Sequence, residues 1–393
     1  MNVSAGASKQ RWGTSSGSYT ILAPGLAKWW GSDARALAQA FRQLGHSIID
    51  IDEEDYIPFR WEGAPSRILR RLFMRIFIAD YNRSVLKKAA NASYDFTLAY
   101  KGYFLRPETI ASLRNTRKPV FNFYPDVSFE DHGGNIPASL RHYDCVFTTK
   151  SYHGKREIDK FGIRNLAHVR HGFDPEVHRP VTLSNEMISH YGCDVSFVGC
   201  WSPEKERRLS FLLKHAPGVS LKVYGIGWKY ASSEFKQRMG SNLKPGAFGD
   251  ELSIVYCASK VNLGLLSSSS DPELRDQTTA RSFQIPATGS FMLHEDTLEI
   301  RRYFEADREV MLFGSNEEMV EKVQLALSSP SLRETIRMRG YERCHREPYD
   351  YISAARTIVS YFEEGSRGAL RAINQNRVTN EVHAPRVFTG VID

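Results

Sequence analysis

Short apolar runs alternate with segments of helical period along this chain, and the alternation occurs as two series. YTILAPG (Tyr19–Gly25) reads as a strand ending in glycine. SDARALAQAFRQLGH (Ser32–His46) opens on a capping serine, keeps a helical period and closes at Gly45, and SIIDID (Ser47–Asp52) is the next strand. Further strands are expected at Tyr94–Tyr100, Pro119–Asp126, Asp144–Thr149 and Leu166–Asp174, with helices at Ser66–Ala90, Pro107–Asn115 and Lys155–Phe161. Strand–helix–strand order of this kind points to a parallel sheet with helices on both faces.

The pattern lapses over Pro175–Gly192, which reads as a linker, and then resumes. DVSFVG, SLKVYG, VNLGLL and EVMLF are the later strands, with helices near Glu204–His215, Ser253–Lys260, Glu317–Ser328, Ser331–His345 and Tyr351–Glu364. A chain of 393 residues exceeds one compact core. The expected organisation is a loose tail (1–18), an N-terminal Rossmann-like domain (19–183), a C-terminal one (184–349) and a polar tail (367–393). The fold class is α/β: two doubly wound domains facing a central cleft.

A net charge of +7 favours anionic partners. No array of basic and aromatic residues or nucleic-acid module accompanies it, which argues against nucleic acid. The five scattered cysteines form no C-x-x-C pair, so buried reduced thiols are expected rather than disulfides or zinc. The N-terminus has no apolar h-region and no run approaches a membrane span, so a cytoplasmic location is expected. Asp50–Asp52 imitates a D-x-D metal motif without matching context, and no metal is expected.

The stretch RDQTTARSFQIPATGSFML (Arg275–Leu293) concentrates groups that suit an anion. If Thr278 or Thr279 caps the helix, backbone N–H groups, threonine hydroxyls and the Arg281 fork meet at one point. A well-capped helix with Arg281 in a surface ion pair fits the same letters. The loop after DVSFVG offers Gly199 for close backbone approach, followed by Lys205, Arg207 and Arg208, for which pairing with Glu204 and Glu206 is the alternative. Gly225, Gly227 and Trp228 form the next loop.

Taken in order, VSFVGCWSPEKERR, VYGIGW, VNLGLLSSSSD and TTARSFQIPATGSFML resemble the donor half of CgeB-type glycosyltransferases, spore-maturation-protein-like members of the GT-B class. WWGSDARALAQAFRQLGH, Lys101–Gly102, FYPD and RHGFDPEVHRP resemble the first half, and the likeness runs from about Tyr19 to Phe362. It implies a nucleotide-diphosphate sugar held as donor in the C-terminal domain, an acceptor in the N-terminal one, and no obligatory metal or cofactor. On this reading Gly199, Lys205, Arg207, Gly225, Trp228, Asp276, Thr278, Thr279, Arg281 and Gln284 hold the donor. The wider class carries two acids eight positions apart, which fall here on Asp276 and Gln284. Both depart from that pattern, and a neutral amide grips ribose hydroxyls less well. Asp126 stands where related enzymes keep a catalytic side chain, commonly a histidine; it either serves the acceptor or caps a turn. His171 falls on their inter-domain loop and reads as structural.

The leading expectation is transfer of a sugar to a hydroxyl acceptor (glycan, lipid-linked or protein-linked), with a weak lean towards retention of configuration. A nucleotide-sugar epimerase or hydrolase on the same fold, and a non-catalytic nucleotide-sugar binder, are the alternatives. The helix Ser66–Ala90 sets Arg67, Arg70, Arg71 and Arg75 against Leu69, Leu72, Phe73 and Ile76. This suits peripheral contact with the inner membrane surface, and equally an outer helix of the domain.

Overall fold

The computed structural model describes residues 17–25, 31–57, 64–269, 271 and 273–374. Two six-stranded sheets organise the chain. The first contains β1 (Thr20–Pro24), β2 (Ser47–Ile51), β3 (Phe96–Tyr100), β4 (Val120–Tyr124), β5 (Cys145–Thr148) and β6 (Leu166–His168). The second contains β7 (Cys193–Val198), β8 (Leu221–Tyr224), β9 (Leu243–Lys244), β10 (Ser259–Gly264), β11 (Met292–Glu295) and β12 (Met311–Phe313). The orders are β2-β1-β3-β4-β5-β6 and β12-β11-β10-β7-β8-β9, with parallel pairing throughout.

Parallel strands cannot be joined by tight turns, so helices cross over both faces and bury them. The strand letters show it directly. Ile21 and Ala23 of β1 enter one core while Leu22 enters the other; Phe121 and Phe123 of β4 face the first, Val120 and Tyr124 the second. In the second sheet Val195 and Phe197 face one core and Val198 the other. The side-chain period of two therefore separates four cores, two per sheet.

The helix Tyr351–Asn374 returns from the second half, and its Tyr351, Ala355 and Ile358 pack with Leu37 and Phe41 in a core of the first. It runs beyond the expected end at Glu364, because the helical pattern does not stop where the charged residues begin. The expected linker is also partly ordered: Asn185–Tyr191 is helical, and the Ser184 hydroxyl accepts from the Met187 N–H. Residues 1–16 and 375–393, most of the two expected tails, lie outside the described residues. So do the side chains of Arg67, Leu69, Arg70 and Arg71. Among the described residues no helix is long and apolar enough to cross a membrane.

Candidate functional site

In a doubly wound sheet, neighbouring strands whose connections leave to opposite sides open a crevice at their carboxyl ends. The orders above place these points between β1 and β3 in the first sheet and between β7 and β10 in the second. Candidate chemistry gathers at both.

At the second crevice Gly199 follows β7, and the Leu265 carbonyl follows β10. Arg281 bridges them. Its Nη2 donates to the Leu265 carbonyl at 2.7 Å, and its guanidinium lies over the Phe197 ring, 5.5 Å from the centroid. A Cβ on Gly199 would stand 2.8 Å from the Phe197 ring and 3.1 Å from Arg281 Nη1, so only glycine leaves this approach open. Gly225 meets the same loop from β8: a Cβ there would fall 2.0 Å from the Gly199 carbonyl oxygen. The Trp228 indole, 3% exposed, donates to that oxygen at 2.9 Å. Trp228 thus shapes the loop from behind.

Lys205 joins this group from the helix Pro203–His215, which begins because Ser202 caps it and Pro203 is pre-shaped for its first turn. Its ammonium is buried and donates to Ser267 Oγ (2.8 Å) and the Cys200 carbonyl (3.2 Å). Burial, and then the nearby Arg281 guanidinium, push its pKa down to about 8. Neither Lys205 nor Arg281 forms an ion pair among the described residues, and Arg281 Nε and Thr279 Oγ1 are buried without hydrogen-bond partners there. A buried ammonium beside a half-buried guanidinium, neither in an ion pair, costs free energy unless an anion joins them.

Other expected donor residues sit differently. Arg207 is exposed, about 200° round the helix from Lys205, and is not brought to the cluster. Arg208 is drawn into ion pairs with Glu204 and Glu295. The helix of the quoted stretch is Arg281–Ala287, with Ala280 at the cap position and no capping side chain, so neither threonine caps it. The Thr278 hydroxyl is instead taken by Glu299 Oε1 at 3.0 Å, and the Thr279 N–H donates to the Ser282 hydroxyl.

Asp276 and Gln284 both reach across to the first half. Asp276 forms a buried ion pair with Lys150, which follows β5, at 2.5 Å; each side chain is 3% exposed. The Gln284 amide donates to Asp33 Oδ1 at 3.4 Å. Burial raises the Asp33 carboxyl to about 6. Ser151 donates to Glu299, and Arg156 pairs with Asp271 and Glu273, so the two halves are held face to face. Beside Lys150, burial and then that ammonium hold His171 well below the ordinary imidazole range, with the Thr149 hydroxyl on its Nε2 at 2.8 Å.

At the first crevice Asp126 is the centre. Lys101 Nζ lies 3.0 Å from Oδ2, the Tyr103 hydroxyl donates to the same oxygen at 2.6 Å, and His132 Nε2 lies 3.3 Å from it. Burial alone would raise this carboxyl, but Lys101 and the hydrogen bonds from His132 and Tyr103 hold it well below the usual carboxylate range. Lys101 keeps a left-handed backbone (φ 58°), a strained choice for lysine that aims the side chain. Sequence reasoning named Asp126 but missed Tyr103, His132, Lys150 and Asp33. The only written hint was the spacing Asp126-x5-His132 ahead of Gly133–Gly134. Asp52, from the D-x-D imitation, is spent capping a turn through the Glu54 N–H at 2.9 Å.

A cavity of about 490 Å³, lined by Arg114, Lys118, Phe121 and Tyr361 among others, opens at the opposite, amino-end edge of the first sheet, away from both crevices.

Residues 205–360 match a family model described as "Glycosyl transferase-like". No curated protein sequence matches the chain. Among solved structures, sucrose-phosphate synthase from Thermosynechococcus elongatus aligns with a TM-score of 0.62 at 12% identity, covering 89% of this chain and 100% of that one. HepE of Anabaena in complex with UDP-glucose gives 0.59 at 13%, covering 88% and 100%. An α-glucosyltransferase in complex with UDP and a 13-mer DNA gives 0.61 at 12%, covering 88% and 99%. At these identities the likeness establishes the architecture: two facing α/β halves with the GT-B fold.

Proposed function

We propose that this chain is a glycosyltransferase that moves a sugar from a nucleoside-diphosphate sugar to a hydroxyl acceptor, without metal or cofactor. The observation that carries the reading is the pair of cations that form no ion pair among the described residues, the buried Lys205 and the half-buried Arg281, beside the open backbone of Gly199. As the sugar–phosphate bond breaks, negative charge grows on the diphosphate, and fixed cations in a water-poor crevice stabilise it. Lys205 offers a point charge and the Arg281 Nη1 and Nε faces further donors. Asp276 and Gln284 belong to the donor side, each tied to the first half, so donor binding and domain closure go together.

Similar folds hold UDP and UDP-glucose, so uridine nucleotides are the first donors to try. A panel of nucleotide sugars, read for release of free nucleotide, tests the reading. Transfer to added hydroxyl acceptors supports it; free sugar alone marks a hydrolase, and binding without turnover marks a sensor. Exposed Ile68, Leu72, Phe73 and Ile76 on the helix Ala64–Asn91 fit a lipid-linked acceptor met at an anionic membrane surface. Flotation with phosphatidylglycerol vesicles, lost in a Leu72→Glu/Ile76→Glu variant, is the expected outcome; unchanged flotation removes that surface from the proposal.

A further inference from the structure

We propose that the cavity of about 490 Å³ at the amino-end edge of the first sheet is a second ligand site, built for a nucleoside monophosphate. The proposal stands apart from the function above, since none of the lining residues belongs to either crevice. A cavity of this size falls within the range of small-molecule sites. Its chemistry divides into a basic rim and an aromatic floor.

The rim comes from the end of the helix Pro107–Arg114 and the turn that follows it. Asp144 is the one carboxylate among the described lining residues, and it is already occupied. Its Oδ1 accepts from Arg114 Nε at 2.7 Å and its Oδ2 from the Val120 N–H at 2.9 Å. Arg117 and Lys118 have no ion pair among the described residues. The Lys118 ammonium lies 3.7 Å from the centroid of the Tyr94 ring, a contact that brings it no acid. Three cations against one carboxylate leave the rim with two positive charges in excess.

Basic residues near a helix end ordinarily serve its last carbonyls. Here other groups meet them. The Asn115 N–H donates to the Ala111 carbonyl, the Thr116 N–H and hydroxyl to that of Leu113, and the Arg117 N–H to that of Arg114. Arg117 moreover holds a left-handed backbone (φ 62°), which glycine would adopt without strain. A guanidinium set at such a position, at the mouth of a cavity and without an acid, points to an anion from outside.

The floor is formed by Phe121 of β4 and by Tyr361 and Phe362 of the returning helix. Phe121 is buried and meets the Tyr361 ring edge-on, 5.8 Å between centroids, so the floor is held in place. Planar rings stack on such surfaces. At the rim, the Asn165 amide gives an N–H to the Asp144 carbonyl at 2.8 Å and keeps its oxygen for a donor on a heterocycle. A ring and a dianionic phosphate in one small molecule describe a mononucleotide. Inorganic phosphate would use only the rim, and a neutral nucleoside only the floor. Because the helix Tyr351–Asn374 arrives from the second half, a bound nucleotide would tie it to the first sheet.

The test is calorimetry on the full chain with adenosine monophosphate, uridine monophosphate and inorganic phosphate. A Lys205→Met background weakens binding at the donor crevice, so what remains reports the cavity. At least one of the nucleotides should bind there at one site per chain, about tenfold more tightly than phosphate, which has no ring to stack. Adding Arg117→Gly should weaken it about tenfold, and Arg117→Glu about a hundredfold. Arg117→Gly alone should melt close to the parent, because glycine suits that backbone, so its effect reads a lost contact and not unfolding. Arg117→Glu compared with the parent should show one nucleotide site fewer, a reading that needs no donor-side variant. Absence of nucleotide binding at millimolar concentration in Lys205→Met, unchanged affinity in Arg117→Glu, or phosphate bound as tightly as nucleotide would overturn the proposal.

Discussion

The two crevices solve opposite electrostatic problems. At the proposed donor crevice a buried and a half-buried cation stand together without an ion pair, and polar atoms of Arg281 and Thr279 go unmatched among the described residues. At the proposed acceptor crevice three donors converge on one carboxylate: Lys101, Tyr103 and His132 all meet Asp126. An unmatched set binds charge that arrives from outside; a matched set holds a side chain still. On the function proposed above, the contrast separates a site for a diphosphate from a site that orients a neutral nucleophile.

The largest break in this comparison should come from Lys205→Met. Nucleotide affinity is expected to fall by about 100-fold, through loss of a desolvated charge-assisted contact. Stability should not fall with it. A lysine depressed from 10.5 to about 8 costs the folded state about 3 kcal/mol while both states are charged. That cost is present below pH 8 and is relieved as pH rises from 8 towards 10.5, because the unfolded chain then binds more protons. Calorimetry with UDP and thermal melts check both halves; a large loss of melting temperature would make Lys205 a structural residue. The same group makes UDP affinity decline as pH rises through about 8 in the parent, but not in Lys205→Arg.

Arg281→Ala should cost about 1.5–3 kcal/mol of nucleotide binding, a factor of roughly ten to a hundred or more. It also removes a bond to the Leu265 carbonyl and a face-on contact with Phe197, so some stability is lost as well. Arg281→Lys should recover little, since one ammonium cannot span Leu265 and the Gly199 loop. Parent-like affinity in Arg281→Ala would show that the guanidinium only braces the crevice.

The smallest effect sharpens the link between the halves. Gln284→Glu restores the acid of the wider class but sets a carboxylate against Asp33. Above pH 6, where Asp33 ionises, the two repel, and UDP affinity should weaken severalfold. Asp33→Asn in the same background should recover it. Tighter binding in Gln284→Glu alone would mean that these side chains part when nucleotide binds.

These contrasts also mark where reading the letters succeeded. The two parallel halves were legible because alternate side chains of each strand enter different cores, which writes apolar runs that composition cannot disguise. Gly199 and Lys205 were legible because a strand end, the Ser202 cap and Pro203 fix the start of one helix locally. Thr278 and Thr279 misled for the opposite reason. Their partners, Glu299 and Ser282, depend on how the chain folds back after β11 and on a helix that starts later than its capping letters suggest. Arg207 misled because basic letters close in sequence lie on opposite sides of a helix.

The sequence alone therefore determined the alternation, the two sheets and the glycine and cation at the head of one helix, since these follow from period and local capping. Tertiary structure alone decided which charges meet: Lys150 with Asp276, Gln284 with Asp33, and His132 with Asp126. Charge choice is a matter of distance in space. The first two pairs join residues 126 and 251 positions apart, and the third needs a loop folded on Phe129. No local pattern encodes such distances, because they are set only when the cores have packed and the two crevices face one another.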